Sequence, residues 1–473
     1  MSTSRIRVPQ LGFDAVRREF EVPQEFPVAA LRKAAEAAAA RKLPKDDATH
    51  IPLVTLDPQG SRDLDQAMHL ARHDGGYRVS YAIADVAAFV EPGGALDVET
   101  WDRGVTIYCP DLRVPLHPEV ICEGAGSLLP GQVRPAVLWQ IDLDGSGEVV
   151  DVAVRRARVQ STAQLDYPSV QSTVDSGAPH PSLALLPEIG ALRLQLAERR
   201  HAIELNLPDQ EVVPDSSGGW TLAFRAQLPV EIWNAQISLL TGMCAADIML
   251  SAGIGVLRTL PPATQGDVDR LRALAPALDV DWPADTPVGD VLAVLNPNNP
   301  KHAAFLDEAG TLLRGAGYTD FDGVPPEQPL HAGVAAAYAH VTAPLRRLVD
   351  RFGSEICLAH AAGEPTPGWV RDALARLPKA MAAADRRAAA VERAVVEATE
   401  AHVLAGRVGD EFDAVVAETG PEHGTVTLAV PAVRATCDTP DLPLGQAVRV
   451  RLTVADPAER RVRFVRVSDG DQR

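Results

Sequence analysis

The chain has 473 residues, 46% of them hydrophobic, with a formal net charge of −18 and a pI near 5.1. That length favours two to four domains with buried cores, and the acidity excludes a protein that coats nucleic acid nonspecifically, while still permitting a basic channel. Five scattered cysteines without a C-x-x-C pair exclude a disulfide framework or zinc site, and neither a run approaching eighteen uncharged apolar residues nor a signal core follows the Ser-Thr-Ser-Arg start, so a cytoplasmic, non-membrane protein is expected.

Taken in order, the strong helix formers from Val28 to about Arg41 predict a helix within a short N-terminal segment, 1–50, that is either a small helix-turn-helix domain or an arm packed on its neighbour. Strands then dominate 51–160: Val54-Thr55-Leu56 up to Asp57, Tyr77–Ile83, Val105–Tyr108, Ala136–Asp142 before an Asp144-Gly145 turn, and Val149–Val159, giving an antiparallel sheet. The Ser/Pro/Gly-rich stretches Ser169–Pro181 and Asn296–Pro300 read as surface loops. Helices are expected over Ala184 to about Glu204, Val230 to about Leu257, Asp267–Leu274, His302–Leu313, from near Pro344 past Leu358, and Val370 to about Leu404. Short strands near Glu211–Val213 and Trp220–Leu222 interrupt them, and five strands beyond 405 suggest a small OB-type barrel whose single Phe412 and Phe464 offer few stacking platforms.

Two stretches carry chemistry. Asp57, Asp63 and Asp65 fall within nine residues, after an apolar strand that Pro58 and Gly60 break. Crowded carboxylates repel, so such a cluster fits a cation or proton chemistry, with Mg²⁺ or Mn²⁺ the natural choice for all-oxygen ligation. Ordinary turn chemistry on a solvated loop is the competing reading, and the spacing is not that of an EF-hand. In the second stretch, His340–Asp350, a helix starting near Pro344 puts Arg346 in its first turn, where positive charge is disfavoured unless an anion is bound; a salt bridge from Arg346 to Asp350 at i+4 is the alternative. The basic clusters Arg155-Arg156-Ala157-Arg158, Arg386-Arg387 with Arg393, and Arg460-Arg461 with Arg463 line a phosphate groove if they converge, and are solvated faces paired with acids if they do not.

Val54–Asp57 with Asp63-Leu64-Asp65, Ala82–Val86, Arg103-Gly104 through Tyr108 and Pro115, Ser127–Pro130 with Arg134, and His340–Asp350 together resemble the ribonuclease II/ribonuclease R family, in the family's order over roughly 50–400. The resemblance implies an α+β chain with a mixed α/β catalytic domain of the ribonuclease II type at 51–404 and an OB-type RNA-binding barrel at 405–473. It further implies Mg²⁺-dependent, processive 3′→5′ hydrolysis of single-stranded RNA to nucleoside 5′-monophosphates by a monomer. On this resemblance Asp57, Asp63, Asp65 and Arg346 are catalytic, Tyr108, Arg347 and Glu392 contact substrate, and Asp57, Asp63, Asp65 and Gln66 hold metal. Gln66 stands where the family usually has a fourth aspartate, which leaves an RNA-binding relative with weakened catalysis as the alternative. The fifty residues ahead of the catalytic region have no room for the family's paired cold-shock barrels, so a shallow outer channel is expected.

Overall fold

The computed structural model describes residues 11–40, 42–205, 207–215 and 219–467; the Ser-Thr-Ser-Arg start and Arg41 lie outside them. Two closed five-strand barrels joined by helices give an α+β organisation. The first comprises β1 (Leu53–Asp57), β2 (Gln66–His73), β3 (Gly76–Ala84), β4 (Val133–Leu143) and β5 (Val149–Asp166), in that order around the wall. Successive strands are antiparallel, but β1 and β5 pair in parallel to close the ring, so the expected antiparallel sheet is a barrel with one parallel seam. Asp74 and Gly75, both with positive φ, make the tight β2–β3 turn, a conformation Gly adopts without strain. Trp139, Tyr81, Met68 and Ile83 fill the interior, and on the scale of about 1.5–3 kcal/mol per fully buried large apolar side chain this core dominates the domain's stability.

Of the N-terminal helices, α1 (Val28–Ala39) packs Ala34 against Leu53, Leu64 and Leu96 beside the barrel, whereas the short helix Asp14–Glu19 packs Phe13 and Val16 against Val391, Ala394 and Val395. The segment is therefore an arm laid over its neighbours; its two helices bury different faces. Ser169–Pro181, expected as loop, contains a helix over Tyr167–Asp175: Asp166 caps it by accepting from the Ser169 N–H at 2.9 Å, and Pro168 sits in the first turn, where its missing N–H costs nothing.

Helix α2 (Pro229–Ala252) ends at Gly253, with φ +70°, and Ile254–Thr259 then pairs as a strand with Gly317–Asp322; the sequence reading ran the helix through this strand. By length and apolarity α2 meets the standard of a membrane span, contrary to expectation, yet Ile237, Leu240, Ala245, Ala246 and Met249 are buried in the protein's own core. Helix α3 (Leu348–Ala361) starts four residues later than Pro344, and α4 (Leu377–Leu404) seven later than Val370, after a short turn of helix over Gly368–Arg371.

The second barrel holds β6 (Glu411–Glu418), β7 (Gly424–Leu428), β8 (Val433–Cys437), β9 (Ala447–Asp456) and β10 (Arg461–Arg466), ordered β6-β7-β8-β10-β9 and closed by β9 on β6. Phe412 and Phe464 meet edge-to-face in its core at 5.8 Å between centroids. They are the barrel's only Phe, Tyr or Trp side chains, and both are buried in its core.

At the seam between α4 and this barrel, the buried Glu400 accepts from the Arg434 backbone N–H and the Gln210 amide, each at 2.8 Å, and burial pushes its carboxyl up to about 7. A raised native value means the unfolded chain loses its proton first, so stability falls as pH rises through the interval from about 4.5 to 7 and stays low above it. Glu400→Gln keeps the accepting oxygen and removes the charge. It should raise the unfolding free energy at pH 8 by roughly 1–3 kcal/mol and leave it nearly unchanged at pH 4, as read by urea denaturation at the two pH values; a larger gain at pH 4 contradicts the assignment.

Candidate active site

The acidic loop is aimed by its anchors. β1 buries Leu53 to Leu56 and delivers Asp57 at its end; the chain then turns through Pro58–Ser61, with Gly60 at φ +84°. Leu64 is fully buried, its N–H donating to Ser127 Oγ at 3.0 Å, while that hydroxyl donates to the Arg62 carbonyl at 2.6 Å. With Leu64 inward and Gln66 starting β2, Asp63 and Asp65 face the same side as Asp57.

Opposite lies the segment Thr342–Arg347, which is not helical because each residue bonds elsewhere. Thr342 accepts from Gln66, the Ala343 N–H donates to Asp350, the Pro344 carbonyl meets His117 Nε2 at 3.2 Å, the Leu345 N–H donates to Asp65 Oδ1 at 2.7 Å, and the Arg346 carbonyl accepts from Thr106. His117 is completely enclosed, and burial pushes it down to about 3, keeping the ring neutral as a hydrogen-bonding strut. Arg346 presents a half-exposed guanidinium with Nε 3.4 Å from Asp65 Oδ2.

The pair with Asp350 that was the alternative for Arg346 is made by Arg347, whose Nε and Nη2 reach the fully buried Asp350 at 2.5 and 2.8 Å. That bidentate pair engages the Arg347 fork and braces the start of α3. Glu392 is exposed on α4 and makes no ion pair among the described residues. Tyr108 is 53% exposed in a two-residue strand, Ile107–Tyr108, that pairs with Arg113–Val114, and its hydroxyl donates to Asp63 Oδ2 at 3.2 Å.

Burial raises Asp57 to about 7 and Asp65 to about 8, against the opposing pull of the Arg346 charge. Asp57 Oδ2 is buried without any hydrogen-bond partner. Both carboxylates feel the charges of Asp63 and Arg346, and hard oxygens held dry fit a divalent cation, so Asp57 and Asp65 suit that role. Asp63 is held by Arg113 Nη1 at 2.5 Å, and among the described residues no three His, Cys, Asp or Glu side chains converge as a metal-holding group. Gln66 is occupied at both ends, its Nε2 donating to the Thr342 carbonyl at 2.6 Å and its Oε1 accepting from the Tyr81 hydroxyl at 2.5 Å.

Several contributors escaped the sequence reading. Asn234 and Ser238, one turn apart on the otherwise apolar α2, put polar groups into the site's wall: Asn234 donates to the Tyr167 hydroxyl at 3.2 Å, and Ser238 shares a hydrogen bond with the Thr342 hydroxyl at 2.8 Å. Their spacing was the available signal, since polar side chains at i, i+4 on a core helix need partners. The basic clusters do not merge into one free groove: Arg155 pairs with Asp46, Arg156 with Asp85 and Glu355, Arg158 with Asp47, Arg460 with Glu19 and Arg463 with Asp438.

A carboxylate-bearing five-strand barrel facing a pinned arginine, followed by a barrel of OB topology, defines a protein of the ribonuclease II class. Residues 45–354 match the RNB domain and residues 410–467 the RNase II-type exonuclease C-terminal S1 domain, and the chain belongs to the RNB-domain family. It is 25% identical to a Ribonuclease R of Vibrio parahaemolyticus over 85% of this chain and 51% of the relative, and 26% identical to Ribonuclease R of Escherichia coli over 86% and 53%. The chain thus spans about half the length of the curated relatives it matches. In fold it is similar to the apo form of Mycoplasma genitalium RNase R, with TM-score 0.85 and 19% identity over 96% of this chain and 77% of the other, and to yeast Ssd1, a pseudonuclease, with TM-score 0.72 and 16% identity over 93% and 56%.

Proposed function

We propose that this chain hydrolyses single-stranded RNA processively from its 3′ end, releasing nucleoside 5′-monophosphates with the help of Mg²⁺ or Mn²⁺. The observation that carries the reading is a buried Asp57 oxygen without a hydrogen-bond partner that feels the charge of the Arg346 guanidinium, itself 3.4 Å from Asp65, within an RNB domain. A bound divalent ion supplies an activated water and neutralises phosphoryl charge. Asp57 and Asp65 would hold it. Arg346 offers a planar, always charged fork to the phosphoryl oxygens as charge builds on them, a role in which the rigid backbone around it matters as much as the charge. Asp65 both faces that fork and accepts from Leu345, so it sets the arginine's place.

The test uses 5′-labelled RNA with a single-stranded 3′ tail, incubated with Mg²⁺ or Mn²⁺: shortening from the 3′ end with release of monophosphates is expected. Tight RNA binding with no product under either metal would instead favour the RNA-binding reading that Gln66 raises.

The exposure of the Tyr108 ring supports its stacking on the terminal nucleotides, worth about 1–3 kcal/mol per base. Tyr108→Ala should lengthen the last undigested fragment, whereas Tyr108→Phe should preserve it, as read on a sequencing gel. Loss of thermal stability with an unchanged end product would make Tyr108 a packing residue.

A further inference from the structure

Gln66 is the first residue of β2, and its side chain spans from the barrel wall to the arginine-bearing segment. Its Oε1 accepts from the Tyr81 hydroxyl of β3 at 2.5 Å, and its Nε2 donates to the Thr342 carbonyl at 2.6 Å. Tyr81 is fully buried, so its hydroxyl stays protonated and acts as donor, which fixes which end of the amide points where. Thr342 is gripped from its other side by Ser238, through the two hydroxyls at 2.8 Å. Thr342 also opens the buried segment that ends on the exposed Arg346. Only a side chain with an acceptor and a donor at glutamine's length completes this bridge: a carboxylate has no proton for the Thr342 carbonyl and adds negative charge beside Asp57 and Asp65.

We propose that Gln66 is a positioning residue rather than a metal ligand: its amide clamps Thr342 to the barrel wall and thereby sets where the Arg346 guanidinium stands. The inference rests on the nuclease reading above. In that reading Arg346 must meet the phosphate within a fraction of an ångström, and a displacement of about 1 Å costs roughly 10²-fold in rate. The clamp acts at one end of the segment, where Ser238 also holds the Thr342 hydroxyl and Asp350 the Ala343 N–H, while Asp65, His117 and Thr106 fix its middle and far end. Losing the Gln66 bond therefore loosens the Thr342 end of the segment and does not unfold it.

The experiment compares Gln66→Glu and Gln66→Met with the wild type, with Tyr81→Phe as a milder variant that keeps the amide but loses its orienting donor. kcat should fall by roughly 10- to 10²-fold in both Gln66 variants and less in Tyr81→Phe, with KM within about two-fold. In an Arg346→Ala background the Gln66→Glu loss should shrink to about three-fold or less, since a residue acting through Arg346 has little left to act on. Calorimetric Mn²⁺ titration of the same proteins without RNA should give affinities within about two-fold of wild type. Tenfold opposite shifts, tighter in Gln66→Glu and weaker in Gln66→Met, would make Gln66 a ligand and overturn the proposal, as would losses that multiply independently of Arg346. Amide exchange over 342–347 gives a reading independent of activity: it should quicken in the Gln66 variants, and unchanged protection sinks the clamp even if the wild type proves to be no nuclease. A wild type that binds Mn²⁺ but hydrolyses nothing would count against the proposed function alone.

Discussion

Replacing Asp65 with Asn is expected to abolish hydrolysis, a loss of at least about 10³-fold in kcat, while RNA affinity stays within a few-fold of wild type. The substitution is nearly isosteric, and an asparagine oxygen can still accept the 2.7 Å bond from the Leu345 N–H, so the segment opposite stays in place. What disappears is the negative charge. With it goes the carboxylate that would hold the cation and that stands 3.4 Å from Arg346, and the several kcal/mol a cation contributes at phosphate convert to about three orders of magnitude or more. Removing an acid does not weaken phosphate contacts, so binding measured by filter retention or anisotropy should persist. An Asp65→Asn protein that turns over RNA at near the wild-type rate would remove the carboxylate from the chemistry.

The second large effect is at Arg346. Truncation to Ala should lower kcat by about 10²- to 10³-fold, the scale on which losing one preorganised donor to a developing oxyanion is measured. RNA affinity should change much less, because the guanidinium acts most strongly on charge that appears only in the transition state. Arg346→Lys keeps the charge but not the planar fork, and should recover only part of the loss. The alternative assigns Arg346 to the wall of an RNA channel. It predicts the reverse split, with KM raised and kcat retained, so single-turnover kinetics at saturating enzyme separate the two. Arg347→Ala is a useful contrast: its fork is committed to the buried Asp350, so its loss should show first as lowered thermal stability.

Much of this was readable in the chain because local rules and tertiary structure agree there. The apolar run Leu53–Leu56 ending on Asp57, with Pro58 and Gly60 breaking it, specifies a strand followed by an acid-bearing loop, and the five short alternating runs after residue 405 specify a barrel. The failures share a cause. Pro344 is a good first-turn residue, but Thr342–Arg347 finds better partners in Gln66, Asp350, His117, Asp65 and Thr106 than a helix could offer it, so α3 waits until Leu348. Which of two adjacent arginines turns inward is decided by where Asp350 sits, and spacing alone does not settle it. Likewise the amide of Gln66 is bonded at both ends by Tyr81 and Thr342, 15 and 276 residues away, which no local pattern announces. The polar pair Asn234 and Ser238 was hidden because α2 is apolar enough overall to read as pure core.

The proposed activity is hydrolytic release of 5′-monophosphates by Asp57, Asp65 and Arg346. It is tested most directly by digesting single-stranded RNA in ¹⁸O-enriched water with Mg²⁺ and weighing the products by mass spectrometry. Water attack on the terminal phosphodiester, with the 3′ oxygen of the shortened chain as leaving group, predicts nucleoside 5′-monophosphates each carrying one solvent ¹⁸O. Cyclic or 3′-phosphates, internal fragments in place of monomers, or intact RNA under every divalent metal tried would contradict it.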